Sequence, residues 1–411
     1  MTHKLESTQA ATVLILVGAG SRYETKKLNG ISHFLEHMFF KGAQKYKNAK
    51  EVSEAIDMVG GDFNAFTGKE YVGYYVKVAA RHVDIALDVL SDMLLKSKFD
   101  EHEISKERGV IMEEYNMYQD TPMYQVGWDF ERLMYGDQPM GWDQVGSKEL
   151  INTVTREDFV KYQSELYTPE NIVVSVAGNI DHKAICEQVE KLFTMKKSTR
   201  KYGPNPLNKN STAERIFLQH KKTEQTHLVV GFPAYGEKPK EEWKHYAQRI
   251  LAIILGGNMS SRMFLGVREA KGLCYYISTT TDDYTDTGTF STRAGVDVKR
   301  ATDAVAAICE QYSLIRSEGI TAAELHKAKE YVKGKMILHL EDCEEFAHLL
   351  GKEELLYGEV DTPEVIMRKY DAITIDQVNQ ITREIFVPNE LRLAIIGPYD
   401  EKTEFGKVLK M

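Results

Sequence analysis

The chain has few cysteines and no long apolar run. Its 411 residues include four cysteines, and no two of them have C-x-x-C spacing: Cys186, Cys274, Cys309 and Cys343. Such thiols are typical of a reduced, cytoplasmic protein and argue against a disulfide framework. No run approaches the roughly 18 apolar residues of a membrane span. The apolar residues 11–17 lack a convincing cleavage site, so we interpret them as a buried strand rather than a signal peptide.

Basic residues are outnumbered by acidic ones. Lys and Arg number 52 against 61 Asp and Glu, which gives a net charge of −9. This balance argues against nucleic acid and anionic membrane surfaces as partners. Gly18 and Gly20 do not form a dinucleotide-binding loop, because the third glycine of G-x-G-x-x-G is missing. The length of 411 residues predicts two or three domains.

What the chain does contain is an H-x-x-E-H motif at residues 33–37. The apolar positions around it follow the spacing of a helix with one buried face: Ile31, Phe34, Leu35, Met38 and Phe39. His33 and His37 point the same way, roughly opposite that face, and could hold one zinc ion. Glu36 is placed to take a proton from an attacking water. The alternative is a pair of histidines on a solvated helix face.

A second helix is predicted over residues 100–118, which open with a D-x-x-E capping box. Glu107 and Glu114 are two helical turns apart and share a face. Glu114 follows His37 by 77 residues, and a carboxylate from a second helix can complete a zinc site. Glu107 is then placed to hydrogen-bond a ligand imidazole. The alternative is that these acids only form a solvated face.

Residues 30–38 (GISHFLEHM) and 107–114 (ERGVIMEE) resemble the catalytic helix and the distal-ligand segment of the pitrilysin-like zinc peptidases, or inverzincins. The resemblance covers nearly the whole chain. It is strongest to the half-length branch, which includes bacterial processing proteases and the β subunit of mitochondrial processing peptidase. In that pattern the distal ligand is the second of the paired glutamates, Glu114, and Glu107 supports it. The spacing varies by one residue in the family, so Glu113 stays an alternative.

The resemblance implies one Zn²⁺ per chain, held by His33, His37 and Glu114, with Glu36 as general base. Residues 60–67 (GGDFNAFT) resemble the edge strand to which a peptide substrate adds as a further strand. The residues assigned to substrate binding on this basis are Asn64, Ala65, Phe66 and Thr67.

The resemblance also extends to an arginine and tyrosine pair, Arg268 and Tyr275. In the family such a pair binds the substrate main chain and stabilises the tetrahedral intermediate, so both are candidate catalytic residues. From the residues alone, Arg268 is a surface residue and Tyr275 begins a strand.

The chain contains an internal repeat that predicts two related domains. Pro169 and Gly178 recur as Pro388 and Gly397, each 219 residues later, in the same order of helix, proline-led turn and strand. Residues 196–212 have the composition of a linker. The prediction is therefore a zinc-binding catalytic domain at residues 1–195 and a homologous domain without the metal motif at residues 213–411.

We expect an α+β fold in which each domain is a mostly antiparallel sheet with helices packed on one face. Relatives usually have an extra strand before the segment equivalent to residues 7–17. Only six residues precede it here, so either the first sheet lacks an edge strand or the chain is truncated.

These features predict a zinc metalloendopeptidase that hydrolyses unfolded peptides or flexible protein termini. The resemblance implies two chains that close around a chamber. One chain carries both the zinc motif and the Arg268 and Tyr275 pair, which favours a homodimer. The alternatives are a non-catalytic assembly subunit of the same fold and a peptide-binding module with a vestigial metal site.

Overall fold

The computed structural model describes residues 1–208 and 214–411. Residues 209–212 of the predicted linker and residue 213 lie outside the described residues. The described residues form ten strands: β1 (Thr2–Lys4), β2 (Ala10–Val17), β3 (Asp62–Thr67), β4 (Val72–Ala79), β5 (Ile172–Gly178), β6 (Ile216–His220), β7 (Gln225–Ala234), β8 (Cys274–Asp283), β9 (Gly288–Asp297) and β10 (Arg392–Gly397).

The same residues form fifteen α-helices: α1 (Ile31–Phe39), α2 (Ala49–Asp57), α3 (Val83–Lys96), α4 (Glu101–Asp120), α5 (Pro122–Tyr135), α6 (Lys148–Thr153), α7 (Arg156–Leu166), α8 (His182–Leu192), α9 (Trp243–Gly256), α10 (Ala301–Glu318), α11 (Ala322–His339), α12 (Cys343–Tyr357), α13 (Pro363–Ala372), α14 (Ile375–Ile385) and α15 (Thr403–Val408). None of these described helices has the length and apolar character needed to cross a bilayer.

The first sheet has the strand order β1-β5-β2-β4-β3. Strand β1 pairs with β5 in parallel, and the other pairings are antiparallel. Strand β2 lies at the centre and is buried over Ala11 to Val17, which fits its continuous apolar run. Strand β1 forms one edge of the sheet. The expectation that the first sheet could lack an edge strand before β2 is therefore wrong.

The second sheet repeats this plan with the order β6-β10-β7-β9-β8, and β6 pairs with β10 in parallel. Helices α7 and α14 begin with capping boxes at Thr155 and Thr374, which are 219 residues apart. Each helix leads into a proline-led turn and then into β5 or β10. Two five-stranded mixed sheets with helices confirm the predicted α+β fold class.

The compact units of the structure differ from the predicted domain boundaries. The first unit comprises Met1–Met117, Gln138–Leu207 and Ile337–Asp361, and the second comprises Tyr118–Asp137, Asn208–Met336 and Thr362–Met411. Each unit therefore takes a helix from the other half of the sequence: α12 belongs to the first unit and α5 to the second.

These exchanged helices cover the sheet face that the sequence analysis left without a helix. In the first unit, Leu14 and Leu16 of β2 pack with α12. In the second, Val229 of β7 and Ala394 of β10 pack with α5. Because the central strands carry apolar side chains on both faces, each sheet needs cover on both sides. The local pattern shows this need but does not identify the distant helix that meets it.

Candidate metal and catalytic site

Helix α1 carries the H-x-x-E-H motif, and its predicted apolar face lies in the core: Ile31, Phe34, Leu35, Met38 and Phe39 are each at most 1% exposed. The two histidines lie on the other side of the helix, as predicted, but they are not on a fully solvated face. The side chains of His33 and His37 are 11% and 20% exposed. Two side chains of helix α4, Glu107 and Glu114, contact the histidines on this second face.

Three potential metal ligands meet between α1 and α4. Glu114 Oε2 lies 3.5 Å from His33 Nε2 and 3.3 Å from His37 Nε2. One ligand atom from each of these residues lies within 4.8 Å of the others. Two nitrogens and one carboxylate oxygen are a donor set that suits zinc and leaves a fourth position open. Glu113 is exposed and is not part of this group, so the geometry favours Glu114 over the alternative register.

Glu107 supports His37 from the far side of the ring. His37 Nδ1 lies 2.9 Å from Glu107 Oε1, and Lys41 Nζ lies 2.6 Å from Glu107 Oε2. A proton on Nδ1, donated to Glu107, leaves Nε2 as the metal-binding nitrogen. Sequence reasoning found Glu107 but missed Lys41. The i, i+4 spacing from His37 to Lys41 was the available signal, because a helix extended to Lys41 would place both on one face; in the structure α1 ends at Phe39.

The local charges stabilise a cation at this point. Burial favours a neutral His37 ring, but its hydrogen bonds to Glu107 and Glu114 outweigh burial and raise the pKa of His37 to about 9. Burial also opposes ionisation of Glu114, yet the bonds from His33 and His37 hold its pKa well below the usual range. Two carboxylates facing two imidazoles therefore favour positive charge, either a proton or a metal cation.

Glu36 lies beside this group and contacts the edge strand. Thr67 Oγ1 donates a hydrogen bond to Glu36 Oε2 at 2.5 Å. Burial raises the pKa of the Glu36 carboxyl group, while the Thr67 bond and the nearby histidines oppose this rise. A carboxyl group with a raised pKa suits general acid–base work near neutral pH.

Strand β3 lies at the edge of its sheet, where β4 is its one partner strand among the residues that the structure describes. Asn64 is exposed and Ala65 is partly exposed. The Phe66 ring packs against two other rings: its centroid lies 5.9 Å from that of Tyr71 and 5.6 Å from that of His348. The strand is thus placed as predicted, while its contacts with a peptide stay a prediction.

Arg268 and Tyr275 belong to the second unit, whereas the metal ligands belong to the first. Arg268 lies in a π-helical turn, Phe264–Glu269, with its guanidinium carbon 4.5 Å from the centroid of the Phe264 ring. Tyr275 is the second residue of β8 and is 77% exposed. The Tyr275 side chain is accessible to a ligand, whereas the Arg268 side chain is 32% exposed and its guanidinium lies 3.5 Å from Glu269 Oε1. π-Helical turns are frequent at functional sites.

Glu24 fixes the start of α1, and sequence reasoning missed it. Its carboxylate is 2% exposed and accepts bonds from the N–H groups of Gly30 and Ser32 at 2.7 and 2.9 Å, and from Asn29 Nδ2 at 3.1 Å. Burial raises the pKa of Glu24, and these bonds oppose the rise. No common capping rule involves an acid six residues before Gly30, so the sequence offered no signal.

We expect Glu24→Ala to destabilise the first unit by about 2–3 kcal/mol, because it leaves several buried donors without an acceptor. Calorimetric unfolding of the variant should show a lower midpoint for the affected transition. Glu6→Ala is the matched control, since the Glu6 side chain is 81% exposed. A midpoint equal to that of the control would contradict this role of Glu24.

Comparisons with known proteins agree with this geometry. Residues 1–139 match the family described as Insulinase (Peptidase family M16), and residues 153–332 match the Peptidase M16 inactive domain. Most of residues 153–332 lie in the second unit. Among the described residues of that unit there is no group of potential metal ligands.

Relatives in bacteria share nearly the whole length of the chain. An uncharacterized zinc protease of Bacillus subtilis is 38% identical over 95% of this chain and 94% of its own length. An uncharacterized zinc protease of Streptomyces coelicolor is 34% identical over 98% of this chain and 88% of its own length.

Solved structures share the fold. A protease from Helicobacter pylori superposes with a TM-score of 0.89 at 23% identity, covering 97% of this chain and 96% of that one. A chain of complex III2 from Candida albicans superposes with a TM-score of 0.84 at 16% identity, covering 99% and 96%.

Proposed function

Because the chain belongs to the Peptidase M16 family, and the two bacterial relatives described above are named zinc proteases, we propose that it is a zinc-dependent endopeptidase. Its substrates are unfolded peptides or flexible protein termini. The observation that carries this proposal is the meeting of His33, His37 and Glu114, with Glu36 beside them.

In this proposal, His33, His37 and Glu114 hold one Zn²⁺ per chain, and Glu107 keeps His37 in the required orientation. Zinc, when bound, supplies Lewis-acid chemistry that polarises the scissile carbonyl. Glu36 takes a proton from the attacking water and passes it to the leaving amine.

The substrate is held by main-chain contacts. An extended peptide pairs with the open edge of β3 at residues 64–67, which sets its register by backbone hydrogen bonds. Arg268 and Tyr275 bind the peptide main chain near the reacting carbonyl. The exposure of Asn64 and Tyr275 supports this assignment.

The second candidate is a non-catalytic subunit of a larger assembly or a peptide-binding module. The fold likeness to a chain of complex III2 favours it. The presence of the whole set His33, Glu36, His37 and Glu114 argues against it, because a subunit without catalysis has no need to keep both the ligands and the base.

Two measurements on the purified chain separate these functions. Atomic absorption should find about one zinc per chain, and a quenched fluorescent peptide should be cleaved. An assembly subunit would show neither property, and a peptide-binding module would bind the peptide without cleaving it. Disordered proteins should be cut and stable folded domains spared, so degradation of a folded domain under native conditions would rule out a closed chamber.

We further propose a cytoplasmic homodimer in which each site is completed by the other chain. Both the zinc ligands and the Arg268 and Tyr275 pair occur on one chain, and a two-fold axis would give two equivalent sites. The cytoplasmic location rests on the cysteine pattern of the sequence.

Mixing Glu36→Gln chains with Tyr275→Phe chains, each nearly inactive alone, should restore activity. A mixed dimer would contain one site with an intact Glu36 and an intact Tyr275, so recovery should reach at most about half of the wild-type rate per dimer if sites act independently. Each variant mixed with itself is the control. Absence of recovery despite demonstrated subunit exchange would exclude sites completed in trans.

A further inference from the structure

We propose that Thr67 is a positioning residue for Glu36, and that it links peptide pairing at β3 to the orientation of the general base. The inference rests on the proposed endopeptidase function. Its basis is the bond of 2.5 Å from Thr67 Oγ1 to Glu36 Oε2. The resemblance assigned Thr67 a role through its main chain at the strand edge. In this proposal its side-chain hydroxyl has a second role, which is to orient Glu36.

Strand periodicity directs Thr67 toward α1. Side chains alternate along a strand, so Phe63, Ala65 and Thr67 share one face of β3. The Phe63 ring lies 5.7 Å from that of Phe40, the residue directly after α1, so this face of β3 meets the C-terminal end of the helix. Phe66 belongs to the opposite face, where its ring contacts Tyr71 and His348.

The hydrogen bond from Thr67 fixes one oxygen of the Glu36 carboxylate. Within the described residues, the Glu36 carboxylate accepts a side-chain hydrogen bond from the Thr67 hydroxyl. The terminal torsion of a glutamate has a broad energy profile, so a carboxylate without a fixed partner samples many orientations. Holding Oε2 leaves Oε1 in a defined direction to accept the proton from water.

The position of Thr67 is in turn set by the β3–β4 hairpin. Thr67 is the last residue of β3 and pairs with Val72, and the following Gly68 donates its N–H to the carbonyl of Tyr71 at 2.9 Å. The other edge of β3 has no partner strand among the described residues. A peptide that pairs with this edge restrains the Thr67 backbone, and through its hydroxyl it restrains Glu36.

Thr67→Val, which replaces the hydroxyl by a methyl group of similar size, tests this role. We expect kcat for a quenched peptide to fall about 10- to 100-fold, as for loss of a hydrogen bond to a charged group. KM should stay within about twofold and the zinc content should be unchanged, because Thr67 is not a ligand. Thr67→Ser should restore most of kcat. Thr153→Val, at an exposed position, is the control for the substitution itself.

A double-mutant cycle separates positioning from general structural support. If Thr67 acts through Glu36, Thr67→Val should slow the residual hydrolysis of Glu36→Gln much less than it slows the wild type. Equal losses in both backgrounds, a higher KM with unchanged kcat, or a wild-type rate for Thr67→Val would each overturn the inference while leaving the endopeptidase proposal intact. A wild-type chain that holds zinc but cleaves no peptide would instead refute the proposed function, and this inference with it.

Discussion

Glu36→Gln should keep about one zinc per chain and lose about 100- to 10,000-fold in kcat, the usual contribution of a positioned acid–base group. The amide has nearly the shape of the carboxylate, and its oxygen can still accept the Thr67 bond. It cannot take a proton from water. Because Glu36 is not one of the three grouped ligands, the metal should remain.

Atomic absorption after gel filtration measures whether zinc is retained. A peptide cleavage assay on the same sample measures the loss of kcat. Glu113→Gln is the matched control, since it makes the same change at an exposed neighbour of the ligand Glu114. Wild-type cleavage by Glu36→Gln would show that the general base lies elsewhere. Loss of zinc from that variant would show that Glu36 contributes to metal binding.

Glu114→Ala should lose both zinc and activity, whereas Glu113→Ala should keep both. Removing Glu114 takes the oxygen donor from a site that otherwise contains two imidazole nitrogens. Groups that only support a ligand contribute about 10- to 100-fold to metal affinity, so loss of a ligand itself should cost more. Glu107→Gln should have an intermediate effect, because Glu107 hydrogen-bonds His37 and is not itself one of the grouped ligands.

Zinc affinity measured by competition with a chromogenic chelator should therefore fall in the order wild type, Glu107→Gln, Glu114→Ala. His33→Ala and His37→Ala should resemble Glu114→Ala. If Glu113→Ala lost zinc while Glu114→Ala kept it, the third ligand would move by one residue and the arrangement of α4 against α1 would have to change.

Much of the metal group was visible in local patterns. The spacing of His33 and His37 and the apolar stripe of α1 follow from helical periodicity, and the second helix followed from a capping box and an acidic face. The structure changed the picture in one respect. The side chains of His33 and His37 are 11% and 20% exposed rather than fully solvated, because Glu114 and Glu107 of α4 contact them.

By itself, the sequence determined the H-x-x-E-H helix and the two copies of one supersecondary plan, because helix and strand periods are local properties of the chain. The edge position of β3 was expected from the family resemblance rather than from the residues alone. Only the tertiary structure decided that α12 and α5 exchange between units, that Glu24 holds the start of α1, and that Thr67 holds Glu36. These contacts join residues by position in space, through the packing of distant elements, and no spacing rule along the chain encodes them.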